Sequence, residues 1–402
     1  MAPTKKQDTD LFRLLFEAAA DPHFIFDKAG VIDCNNATLQ FLNVPDKKQL
    51  LGKQPSALSP TSVEGVDSLM NGSKMEAIAR RDGWHRFEWQ HEKFDGTTAP
   101  VEVTLNAIDI DGRPGFLCVW HDLTEHKRRE QTLIALNAEL ESANAKLHQD
   151  LAAAAAIQRG LLPKSMPDVI GVNSKYVYLP CDELGGDFLN VFKLNDTSIG
   201  FYMLDVSGHG VPAALLSVSI GHLLSPFAEA SIVRRQMEES RNGLITPQKI
   251  AAELNKQIDW DHGVLQLVTM LAGTIDRETC CLRLCSAGHP PCIIVKSDGH
   301  FRKIEGEGIP LGVSSDASYS DVELTLDIGD KLILYSDGVT EAKDSNGVEF
   351  GLERLAGYFG ESNGKDFSES VDSFLSPLKE WVTPGKFKDD VSLLGFEIIE
   401  QR

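Results

Sequence analysis

A chain of 402 residues is longer than one ordinary hydrophobic core supports, so two or three folding units are expected. A formal charge of −20 excludes nucleic acid as the main partner, because the phosphate backbone repels it, and no apolar run approaches the ~18 residues of a membrane span. The polar opening Met1 to Asp10 lacks a signal core and the seven cysteines show no Cys-x-x-Cys spacing, which predicts a reduced, cytoplasmic protein. Cys280, Cys281, Cys285 and Cys292 lie in apolar, strand-like sequence and read as buried thiols, not as a zinc site.

The first elements are a short helix over Leu11 to Ala20, closed by Asp21-Pro22, and a hairpin of Phe24-Ile25-Phe26 with Val31-Ile32. Gly30 sits in its turn. Asn36 to Met75 reads as loop and short helix. Three strands follow, Trp84 to Gln90, Pro100 to Asn106 and Gly115 to Asp122, separated by Asp95-Gly96 and Asp111-Gly112. Val101, Val103 and Leu105 alternate with polar residues, the mark of a half-buried antiparallel strand. The set ends in Trp120-His121-Asp122-Leu123-Thr124-Glu125-His126-Lys127-Arg128. With that exit, residues 9–126 resemble a PAS sensor domain, which implies a sensory role. Its ligand stays unknown: His23, His85 and His91 read as structural or solvated and not as haem ligands, and no cysteine context specifies a flavin.

Glu125 to Leu162 reads as one long helix, free of Gly and Pro until Gly160 and Pro163 and rich in strong helix formers. Leu136, Leu140, Ala143, Leu147, Leu151 and Ala154 follow coiled-coil spacing with one stutter, which predicts a parallel homodimer through residues 127–162. The plainer alternative is a single helix packed on its own domain.

From Pro163 onward, apolar strands end in carboxylates. Ser198 to Leu204 stops at Asp205-Val206-Ser207-Gly208-His209-Gly210, and Lys331 to Tyr335 stops at Ser336-Asp337-Gly338. Leu184-Gly185-Gly186-Asp187 precedes a short strand at Phe188, and Lys388-Asp389-Asp390 leads into Val391 to Ile398. Helices are expected over Pro212 to Leu223 and after Thr246-Pro247. Each Asp-Gly alone is an ordinary turn, but four acids at buried strand ends repel one another unless cations neutralise them. All-oxygen donors suit hard ions, and a water bridging two such ions is a nucleophile for phosphorus at neutral pH.

These motifs, with Ser286-Ala287-Gly288-His289-Pro290-Pro291 and Gly308-Ile309-Pro310-Leu311-Gly312, resemble the type 2C metal-dependent protein phosphatases in their bacterial stage II sporulation protein E branch. Ile157-Gln158 and Leu161-Leu162-Pro163 are similar to the helix that precedes that catalytic domain. The resemblance implies two Mn²⁺ or Mg²⁺ ions. Asp205 would bridge them, the Val206 carbonyl would bind one, Asp337 and Asp389 would hold the second, and Asp187 would bind directly or through water. No side chain acts in catalysis beyond the metal-held water. His209 and His289 are read as structural, and Asn190 stands where the branch usually has a further Asp. The implied substrate is a phosphoserine or phosphothreonine on an anti-sigma-factor antagonist. A sensor histidine kinase is disfavoured because no Gly-rich ATP lid is found. A non-catalytic scaffold binding phosphoprotein is the alternative that the four aspartates count against.

The expected fold is therefore multidomain α+β: a five-stranded antiparallel PAS domain at 9–126, a coiled-coil helix at 127–162, and an α/β/β/α sandwich phosphatase domain at 163–402 with its aspartates at one rim.

Overall fold

The computed structural model describes residues 5–63, 66–229, 231–240, 245–258, 266–362 and 364–400. The polar opening Met1 to Asp10 is described only from Lys5, and the chain end at Arg402 lies outside the described residues. Two compact units divide the chain, Met1–Asn144 and Ala145–Arg402. Among the described residues no helix is long and apolar enough to cross a membrane.

The first unit runs α1 (Lys5–Ala18), β1 (His23–Asp27), β2 (Gly30–Cys34), α2 (Asn36–Leu42), a small hairpin of β3 (Ser62–Val63) and β4 (Val66–Asp67), α3 (Ser68–Asp82), β5 (Trp84–Glu92), β6 (Thr98–Ile110) and β7 (Arg113–Asp122). Five strands form one antiparallel sheet in the order β2-β1-β7-β6-β5. Ala99, Val101, Val103 and Leu105 of β6 are buried, as their alternation requires. Val101, Val103 and Leu105 pack with Phe24, Phe26, Phe116 and Trp120 against Leu42, Leu50 and Leu58 from the connecting segment. Short α2 is the helix expected within Asn36 to Met75, whereas the 15-residue α3 takes the end of that stretch and runs on to Asp82. Asp67 caps it by accepting from the Met70 N–H at 3.0 Å, and Gly83 ends it at φ 88°.

Helix α4 (Thr124–Leu161, 38 residues) begins in the first unit and ends in the second. Leu136, Leu140 and Leu147 of the expected seam are exposed on the single chain. Leu151 and Ala154 instead pack beside Ala155, Leu184 and Ala214 of the second unit.

That unit continues with β8 (Val172–Leu179), β9 (Phe188–Lys193), β10 (Ser198–Val206), α5 (Val211–Leu224), α6 (Ile232–Glu239), α7 (Pro247–Gln257), β11 (Val268–Asp276), β12 (Cys281–Ala287), β13 (Cys292–Val295), β14 (Phe301–Ile304), β15 (Val322–Thr325) and β16 (Lys331–Tyr335). It closes with α8 (Asp337–Thr340), α9 (Gly351–Glu361), α10 (Phe367–Ser373), α11 (Leu375–Val382) and β17 (Val391–Ile398). One sheet has the order β15-β12-β11-β10-β9 and the other β14-β13-β16-β17-β8, and every pairing within them is antiparallel. Both sheets contribute to a single apolar core, with Phe201 of β10 packed on Phe396 of β17 at 4.6 Å between ring centres. Ile250 and Leu254 of α7 join that core, while Leu355, Phe359, Val371 and Leu378 of α9 to α11 pack with Ile333 and Leu393 of the second sheet. Near-continuous burial along β10, β16 and β17 explains why these strands read as unbroken apolar runs. The thiols of Cys285 and Cys292 are buried, and those of Cys280 and Cys281 are partly so.

Candidate metal centre

Strand pairing brings the acids together. β9 and β10 are antiparallel with Phe188 opposite Leu204, so Asp187, just before β9, lies near Asp205 at the end of β10. β16 and β17 are likewise antiparallel, so Asp337, just after β16, lies near Asp389, just before β17. Ser336 fastens that second pair: its hydroxyl donates to the Asp390 carbonyl at 3.0 Å and accepts from the Ser392 N–H at 2.9 Å.

Asp390 fastens one pair to the other. Its buried carboxylate accepts from Gly186 N at 2.6 Å and Asp187 N at 3.3 Å through Oδ2, and from Cys181 N at 2.8 Å through Oδ1. Three backbone donors on one carboxylate hold the 181–187 loop of the first sheet against the start of β17 in the second. Two glycines permit this close approach. A Cβ at Gly186 would stand 2.6 Å from the Val206 carbonyl oxygen, and one at Gly338 would drive into the Asp390 backbone. The Val206 carbonyl thus lies beside the loop that carries Asp187. Asp390 was not singled out in the sequence; its position next to a candidate ligand was the only local signal.

Burial grades across the rim: Asp187 is buried, Asp205 and Asp337 are half-buried, and Asp389 is exposed. Desolvation, followed by the charges of Asp205 and Asp390, raises the Asp187 carboxyl well above the usual range. Asp205 is pushed up to about 7 by burial and by Asp337, Asp389 and Asp390. Asp337 is pushed up to about 6 by burial, Asp389 and Glu341. Asp389 rises through partial desolvation; the Asp390 N–H bound to its carboxylate opposes the shift, the Asp390 charge adds to it and His209 opposes it.

A cation suits this set on two observations. The donors are all oxygens, carboxylates and the Val206 carbonyl, and Asp187 Oδ2 is buried without a hydrogen bond. Among the described residues no three His, Cys, Asp or Glu side chains form a closed coordination group as they stand. The fit therefore rests on donor chemistry and on the orphaned oxygen.

The remaining candidates separate from the rim or support it. His209 is exposed, with Nδ1 3.3 Å from Asp182 Oδ2. His289 is buried, its Nδ1 2.8 Å from the Thr269 hydroxyl, and burial pushes its pKa down to about 3. Asn190 turns its Oδ1 to its neighbour Val191 N at 2.8 Å. Tyr178, unremarked in the sequence, packs its hydroxyl behind Gly185, near Asp187 and Asp390.

The end of α4 meets the same loop through Gln158. Ile157 is 69% exposed and Leu161 50%, whereas Gln158 is 4% exposed. The Gln158 side chain donates from Nε2 to the Gly185 carbonyl at 2.7 Å and accepts the Gly185 N–H at 3.3 Å through Oε1. Nearer the middle of α4, His148 Nδ1 lies 2.9 Å from Glu183 Oε1. The α4 face toward the rest of the second unit is therefore Leu151, Ala154, Ala155 and Gln158, and Leu162, just past the helix end, joins the apolar core.

Comparison with known proteins agrees with this layout. A PAS domain family model matches residues 21–125, and the first unit carries that domain. The chain is 27% identical over 228 residues to phosphoserine phosphatase RsbU of Bacillus subtilis, covering 56% of this chain and 61% of the relative. It is 29% identical over 213 residues to protein IcfG of Synechocystis sp., covering 50% of this chain and 34% of the relative. The chain thus spans less than two thirds of the length of either curated relative. Among solved structures, the SiaA-PP2C domain of Pseudomonas aeruginosa superposes with a TM-score of 0.54 at 22% identity, over 64% of this chain and 98% of that one, a likeness of fold. The family model of stage II sporulation protein E (SpoIIE) matches residues 195–399, half of the chain, and the protein belongs to that family.

Proposed function

We propose that this chain is a sensor-regulated, metal-dependent protein serine/threonine phosphatase. The observation that carries the reading is the meeting of Asp187, Asp205, Asp337 and Asp389 at one rim, with carboxyls raised by burial and mutual repulsion. Family membership and the name of the RsbU relative, a phosphoserine phosphatase, support it. In this reading Asp205, Asp187, Asp337, Asp389 and the Val206 carbonyl hold two Mn²⁺ or Mg²⁺ ions. When bound, such ions supply Lewis acidity and a water activated at neutral pH.

The chain's own residues then have distinct tasks. Asp390 accepts from three backbone N–H groups and so sets the loop that aims Asp187. Exposed Asp389 leaves the mouth open to a phosphorylated side chain, and buried Asp187 stands where water is excluded. The substrate we propose is a phosphoserine or phosphothreonine on a partner protein of the anti-sigma-factor antagonist kind. The division into 9–126, 127–162 and 163–402, the α/β/β/α layering of the last part and a homodimer through α4 complete the proposal. The exposed stripe Leu136, Leu140 and Leu147 supports the dimer, since three leucines one face apart gain by burial against a second copy.

The test is hydrolysis of p-nitrophenyl phosphate with saturating Mn²⁺. Asp205→Asn and Asp337→Asn should each nearly abolish turnover while the fold survives, because each removes a charge from a repelling set. Wild-type turnover by either variant would overturn the assignment.

A further inference from the structure

In the second unit β12 ends in one sheet and β13 begins in the other, so the short link Gly288 to Pro291 crosses between the sheets. Gly288 makes the turn at φ 71°, and a Cβ there would stand 2.7 Å from the Pro310 nitrogen. The same glycine bridges to Met270 of β11, and the Ser286 hydroxyl donates to the His289 carbonyl at 3.4 Å. His289 is thus held in the crossing, buried, with its ring reaching one strand of each sheet. Its Nδ1 lies 2.8 Å from the Thr269 hydroxyl of β11, and the Tyr335 carbonyl at the end of β16 is close enough to act on the ring. Both contacts lie beside the acidic rim. Thr269 stands directly opposite Asp205 across the β10–β11 pairing, and Tyr335 is two residues before Asp337.

The chemistry of the pair follows from its protons. Burial pushes His289 down to about 3, so the ring is neutral, with one N–H and one bare lone pair. With Nδ1 taken by Thr269, the Tyr335 carbonyl is left to Nε2, which is buried and makes no closer hydrogen bond. A carbonyl only accepts and would repel a bare lone pair, which puts the ring proton on Nε2. Nδ1 is then the acceptor, and it takes the single proton of the Thr269 hydroxyl.

Directly opposite residues of antiparallel strands project to one face with Cβ atoms about 5 Å apart, so Thr269 and Asp205, both half-buried, share one small space. A threonine hydroxyl free to turn would donate to that carboxylate and blunt its charge. With its proton engaged by His289, Oγ1 has only lone pairs left for the Asp205 side. Two acceptors side by side favour a cation, or the water on one, between them. We propose that Thr269 and His289 are a positioning pair for the cation that Asp205 holds: His289 fixes the hydroxyl so that Thr269 Oγ1 serves the centre as a neutral oxygen acceptor and not as a competing donor. The inference rests on the metal reading of the rim and deepens it, adding an oxygen outside the four aspartates. Because the pair is neutral, it adds no charge to a set of acids that already repel one another.

The experiment measures the Mn²⁺ affinity of the full chain without substrate, from the free-ion signal in electron paramagnetic resonance, beside a thermal melt of each variant. Thr269→Val keeps the shape and removes the hydroxyl. It should weaken Mn²⁺ binding on the order of tenfold, the usual loss when a group supporting a metal ligand is removed, and Thr269→Ser should restore it. His289→Leu frees the hydroxyl to donate to Asp205 and should weaken binding at least as much. The double variant has no hydroxyl left to compete, so it should bind like Thr269→Val alone, whereas two independent structural losses would add. If His289→Leu does not fold, the valine and serine variants decide alone. Asp205→Asn, measured in parallel, separates this inference from the metal reading. Parent-like affinity in Asp205→Asn overturns both. Affinity lost there but kept in Thr269→Val, no rescue by Thr269→Ser, or additive losses in the double variant overturns the pair alone.

Discussion

Gln158→Leu removes the clamp between α4 and the Asp187 loop while nearly keeping side-chain volume. The glutamine makes two hydrogen bonds to one buried peptide unit, Gly185, and a longer 3.4 Å approach to the Ser217 hydroxyl. Leucine leaves the Gly185 N–H and C=O without these partners, and a buried unsatisfied group costs about 1–3 kcal/mol. Burial of the leucine offsets part of this, so the second unit should lose ~3 kcal/mol, or roughly 6–12 °C of melting temperature for a unit of its size. Asp187 is two residues from the released peptide. If about half of the lost energy had been orienting Asp187, half-maximal activity should require on the order of tenfold more Mn²⁺, since ~1.4 kcal/mol is a factor of ten. The assay pairs thermal unfolding with phosphate release across a Mn²⁺ titration. A lowered melting temperature with an unchanged Mn²⁺ requirement would show that Gln158 supports the fold alone. No change in either would refute the clamp itself.

Chelation with EDTA should stop activity without unfolding the protein, and Mn²⁺ should restore it at least as well as Mg²⁺; recovery with Zn²⁺ alone, in a phosphatase assay after dialysis, would contradict the all-oxygen donor set. Inserting seven residues between Asp150 and Leu151 keeps the heptad phase and should preserve any response of the enzyme to its sensor, whereas inserting two rotates the face that carries Gln158 and should fix activity high or low. Identical behaviour of both insertions, or a monomer at micromolar concentration by light scattering, would make α4 a plain tether. His91 predicts a pH dependence of the first unit. Its folded pKa, about 4, lies below that of an unfolded histidine, so the unfolded chain binds more protons between those values. Stability from this group is complete above pH ~6.5 and declines by up to ~3 kcal/mol as the pH falls to 4. Denaturant melts of the unaltered chain should show that slope, and His91→Phe should flatten it.

What the sequence determined by itself is the set of local patterns. The alternation of Val101, Val103 and Leu105 set the buried face of β6, and the apolar runs ending at Asp205 and Asp337 located two of the strand ends that reach the rim. Such signals are local because a strand's period and a turn's glycine depend on neighbours in the chain. Helix α3 was hidden for the same reason: Asn71, Gly72 and Ser73 weaken its helical signal, and packing on the sheet supplies what propensity lacks. The tertiary structure alone decided which distant groups meet. Asp390 organises the Asp187 loop through peptide N–H groups some two hundred residues earlier, and nothing in either segment announces the other. Gln158 likewise reads as an ordinary helical polar residue until Gly185 is placed against it. Both are hydrogen bonds to backbone, which any sequence offers at every residue, so their partners become identifiable only when the sheets and helix have packed.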